Sequence, residues 1–234
     1  MFNVKEFQNN VILEPLVEKF NKFLSKNKTQ KIIPIIEELE NLLDHPEQKV
    51  PVTYILSILA EHNIDLISED IIKKVEPFLS SDDIKLKVNS VIIIGFYLIS
   101  NPKLRDDYFR IVGKLLLDDS KDIRDNAHFF LIELVKLDKN LVNSIKDIIF
   151  KSLIEETNKD NILSLTNLID NVDELSFNEL FLFRGILKSL ISTFFDDKNS
   201  EIFLITCKFI RKFFPVLKEH ELEAKGKKEL LTLL

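Results

Sequence analysis

Glycine is scarce: the 234 residues hold four, Gly95, Gly113, Gly185 and Gly226. Dinucleotide-binding α/β folds, phosphate-cradling loops and β-barrels need glycine at tight turns and phosphate contacts, so they are poor candidates. The single cysteine, Cys207, rules out a disulfide within the chain and fits a reducing compartment. Tryptophan is absent. The longest apolar run is Val91–Ile99, and a membrane-spanning helix needs roughly twenty residues, so no membrane span is expected. The first residues lack a basic stretch followed by an apolar run, so no signal peptide is read and a cytoplasmic location is expected.

What the chain does have is a foldable composition, 45% hydrophobic and 30% charged. Lys and Arg number 32 against 38 Asp and Glu, a net charge of −6. A mildly acidic chain makes a poor default nucleic-acid binder, because phosphate contacts need a concentrated basic face. The charge is uneven. Residues 1–31 carry six lysines against three glutamates, and residues 118–174 carry thirteen acids against seven bases. Ordinary solvated helix faces explain such runs most simply.

Hydrophobic spacing is helical along most of the chain. Ile32, Ile33, Ile36, Leu39, Leu42 and Leu43 follow a one-stripe pattern, as do Ile71, Ile72, Val75, Phe78 and Leu79, and then Phe109, Val112, Leu115 and Leu116. Strand-type alternation is not sustained anywhere. The breaks are short and polar, and each offers an Asp, Ser or Asn to cap the following helix. Pro34 sits near the start of its helix, and Pro77 lies deep enough to kink or shorten its own.

One segment repeats. Residues 78–90 and 115–127 align at an offset of 37 as helix end, acidic turn, aliphatic–basic–x–Asn–small, apolar helix. Weaker echoes lie at 43–56, 153–168 and 195–209. Helix pairs at this spacing are the mark of an α-solenoid. Leu117-Asp118-Asp119-Ser120-Lys121-Asp122-Ile123-Arg124-Asp125-Asn126-Ala127 resembles the inter-helix segment of the HEAT/armadillo superfamily. Members of that family use a turn Asp and an early Arg of the second helix to hold repeats in register. Asp118 or Asp119 and Arg124 occupy those places; residues 81–90 place Lys87 where Arg is usual.

The resemblance implies an all-α fold, a right-handed α-α superhelix of about five stacked helix pairs. The expected pairs are 29–44 with 49–62, 68–79 with 83–100, 103–117 with 120–137, 139–155 with 159–172, and 176–195 with 199–214. Residues 1–28 form an N-terminal capping helix, 29–214 the solenoid with one continuous core, and 215–234 a polar tail or capping helix.

Catalytic chemistry is not visible. Cys207 lies in an apolar helix and reads as a structural thiol. No His-x-x-x-His or Cys-x-x-Cys pair suggests zinc, so neither metal nor cofactor is expected. His128 reads as a partly exposed surface histidine. The paired acids Asp82-Asp83, Asp106-Asp107, Asp118-Asp119, Glu155-Glu156 and Asp196-Asp197 stand at helix starts, where carboxylates complement the helix dipole. Lys208, Arg211, Lys212 and Lys218 read as a basic helix C-terminus.

The expected function is therefore a non-enzymatic protein-binding scaffold or adaptor. The resemblance places second helices on a concave face. There, Val88, Val91 and Gly95 would face a groove, with Ile84, Leu86, Ser90, Ile93, Ile94 and Tyr97 turned inward. The offset sets Asp125, His128 and Ile132 beside them, flanked by Phe129. Such a strip suits a helix or an extended peptide. The competing reading is a nucleic-acid-binding helical-repeat protein, which needs Lys85, Lys87, Lys121 and Arg124 on one face. An enzyme acting on DNA bases ranks last. Nine of the nineteen phenylalanines lie between Phe177 and Phe214, so that end expects either a cap from 215–234 or a homodimer contact.

Overall fold

In a computed structural model the described residues are 7, 10–26, 29–195 and 200–223. All regular structure among them is helical, and it falls into two compact units, Met1–Asn101 and Pro102–Leu234.

The first unit holds α1 (Leu13–Leu24), α2 (Thr29–Leu42), α3 (Lys49–His62), α4 (Glu69–Val75) and α5 (Ile84–Ser100). Helix α1 packs on α2, α2 on α3, and α3 on α5, the most extensive contact of the unit. Two of the caps follow the sequence signals, whereas α3 starts after Gln48 with no side-chain cap. Ser68 accepts the Ile71 N–H at 3.1 Å and starts α4, and Asp83 accepts the Leu86 N–H at 3.0 Å and starts α5. Pro77 acts as expected: α4 stops at Val75 and the chain tightens into a 3-10 turn over Glu76–Ser80. Pro34 is deeper than expected, well inside α2, which runs through it.

The second unit holds α6 (Arg105–Lys114), α7 (Lys121–Leu137), α8 (Lys146–Glu155), α9 (Lys159–Asp170), α10 (Phe177–Phe194) and α11 (Glu201–Glu223). Partners within a pair touch: α6 with α7, α8 with α9, α10 with α11. First helices also touch first helices, α6 on α8 and α8 on α10, and second helices touch second helices, α7 on α9 and α9 on α11. Each stripe is thus buried between its own partner and the next pair. Phe150 of α8 stacks on Phe183 of α10 at 3.8 Å between ring centroids and approaches Phe209 of α11 at 5.9 Å. Phe177, Phe209 and Phe213 of the C-terminal phenylalanines are core, whereas Phe181, Phe195 and Phe214 are exposed. Helix α11 continues through Pro215 to Glu223, past the point where the sequence suggested a tail.

Polar side chains tie neighbouring pairs together at long sequence separation. In the first unit, Asn89 Nδ2 donates to Thr53 Oγ1 at 3.3 Å, and Lys74 donates to Asp44 at 3.1 Å. In the second unit, Arg110 grips Asp147 with both Nη atoms, at 3.2 and 3.3 Å, and also donates to the Ser144 carbonyl. Lys208 meets Asp170 and Lys212 meets Asp173, each at 2.6 Å. Lys208 and Lys212 are thus cross-helix ties to the end of α9, not groups at a helix C-terminus, because α11 extends well beyond them.

Candidate functional site

The repeated segment builds the most polar part of the second unit. Asp118 Oδ1 accepts the Ser120 N–H at 2.9 Å and shapes the turn before α7. Arg124, one turn into α7, folds back so that Nη1 donates to the carbonyls of Asp118 at 2.7 Å and Asp119 at 2.9 Å. Its Nε lies 3.8 Å from Glu156 Oε2, in the turn between α8 and α9. Glu156 is anchored in turn by the N–H groups of Thr157 and Asn158 and by Asn161 Nδ2, at 2.9, 2.8 and 3.0 Å. Burial pushes the Glu156 carboxyl up. The hydrogen bonds from Asn158, Asn161 and Thr157, with the Arg124 charge, outweigh it and hold the group below its ordinary value. Asp118, Asp119, Arg124, Glu156 and Thr157 line a cavity of about 230 Å³ with Ser152, whose Oγ donates to the Leu116 carbonyl. The acids that the sequence placed at helix starts act here as turn and register groups.

His128 follows Arg124 by one turn and is 4% exposed. The expectation of a surface histidine is corrected: α7 packs on α6 and α9, and this ring is enclosed. Neither ring nitrogen has a hydrogen-bond partner among the described residues. Burial lowers its pKa from 6.5 to about 4, against the opposing pull of Glu156 and Asp125.

The six residues expected to meet a partner have separate fates. Val88 and Val91 lie on α5 in the first unit, Val88 partly exposed and Val91 fully buried. Val91 presents nothing to a partner, and Gly95 is buried as well. Ile84, expected inward, opens α5 at 51% exposure. On α7 in the second unit, His128 is enclosed, whereas Phe129 is 51% exposed. Asp125 and Ile132 are half-buried. Residues 125, 129 and 132 follow i, i+4, i+7 and so share one face of α7. The Phe129 ring meets Phe130 edge-on at 5.0 Å, so the exposed aromatic is braced by a buried one. The expected strip thus reduces, on α7, to Phe129 between Asp125 and Ile132.

No known family profile matches the sequence. No curated protein matches it. One similar solved structure is the crystal structure of an engineered protein, Northeast Structural Genomics Consortium target OR329. It shares 12% identity over 93% of this chain and 92% of its own, with a TM-score of 0.46.

Sequence reasoning missed the role of Glu156. The offset of 37 that aligns 78–90 with 115–127 also carries Asp119 onto Glu156, so the signal was present. Among the described residues no group of His, Cys, Asp and Glu side chains is arranged to hold a metal ion. No single described helix is long and apolar enough to cross a membrane.

Proposed function

We propose that the helix pairs are HEAT-like repeats and that the chain is a non-enzymatic scaffold that binds a protein partner. The carrying observation is Phe129, a large aromatic left half in solvent on a second helix whose other apolar residues are largely buried. Exposing a phenylalanine beside Asp125 and Ile132 gives an apolar anchor with a polar edge. Aromatic anchors ringed by polar groups are the usual centre of protein interfaces. An amphipathic helix or an extended peptide fits such a strip. The chemistry around Arg124 supports a structural reading over a catalytic one, because its donors are spent on turn carbonyls and Glu156.

The competing reading needed Lys85, Lys87, Lys121 and Arg124 as phosphate contacts. Arg124 is engaged internally, which removes the strongest of the four from that role. Crosslink-stabilised capture from native lysate, with and without nuclease, tests the proposal. Partners that persist after nuclease support the scaffold. Partners that vanish with nuclease favour nucleic acid and refute it.

A further inference from the structure

We draw no further inference here: the strongest candidate, the acid-lined cavity between the turn ahead of α7 and the turn between α8 and α9, belongs to the site already described, where Arg124 donates to the Asp118 and Asp119 carbonyls and faces Glu156, and nothing among the described residues beyond that cluster of acids points to a ligand.

Discussion

Arg124 and Glu156 lie 32 positions apart in sequence and 3.8 Å apart in the folded chain, each fixed first by its own turn. Arg124 holds the carbonyls of Asp118 and Asp119, while Glu156 holds the N–H groups of Thr157 and Asn158. The pair therefore joins two turns that are already shaped, so little side-chain entropy is lost in forming it.

Removing that cation should be costly. Arg124→Ala leaves two turn carbonyls short of a donor and a Glu156 side chain, 6% exposed, without its counter-charge. The expected loss is about 1–3 kcal/mol, read as a lower denaturant midpoint. Arg124→Lys should recover only part of it, because a point-like ammonium cannot serve both carbonyls and the carboxylate as the planar fork does. A midpoint unchanged by Arg124→Ala would show that the junction is idle.

His128 should make stability depend on pH. Its folded pKa, about 4, lies below the ordinary 6.5. Above 6.5 the ring is neutral in both states and folding takes up no proton. As pH falls toward 4, the unfolded chain protonates first, so stability declines across that window. The decline is on the order of 3 kcal/mol when complete. Asp125, Glu156 and Arg124 are the charged groups that act on the ring, and the two acids limit the drop. Glu156 adds a further loss below the ordinary carboxylate range, where its depressed pKa is crossed. Denaturant titrations at successive pH values should show the slope in the native chain and its absence in His128→Leu. An equal slope in both would assign it elsewhere.

Gly113 marks a close approach inside the second unit. A Cβ there would stand 2.7 Å from Ile145 Cγ2 and 3.3 Å from Ile145 Cβ. The Ile145 Cβ is fixed by the backbone, and Cγ2 moves only by rotating a β-branched side chain about its restricted χ1. Gly113→Ala gains about 1 kcal/mol of helix propensity but meets overpacking of about 1–3 kcal/mol. A double-mutant cycle with Ile145→Ala separates the two. The pair should cost less than the sum of the single changes; strict additivity would deny the clash.

The helix pairs were legible because each is bounded by local chemistry. Ser68, Asp83 and Ser176 announce α4, α5 and α10, and all three accept the cap hydrogen bond. Pro77 announces the end of α4. Side-chain facing was less legible on α5, where Val88 to Ile99 is apolar almost all round and gives no moment to choose a buried side. With no buried side to choose from the pattern, the sequence turns Val91 outward and Ile84 inward, the reverse of the fold. His128 failed for a different reason. A histidine signals exposure by its chemistry, yet its place one turn beyond Arg124 carries it into the packed face of α7. Lys208 and Lys212 were read by position along the chain, whereas their partners, Asp170 and Asp173, are set by the packing of α11 on α9.

The most direct test of the scaffold reading is the same capture experiment run in parallel on the native chain and on Phe129→Asp, both after nuclease treatment. Phe129 is half exposed, so an aspartate there should leave helicity and the denaturant midpoint nearly unchanged. The account predicts a defined set of protein partners on the native chain and their loss from the folded variant. The same partners on both chains, or none on the native chain once nuclease has acted, would contradict it.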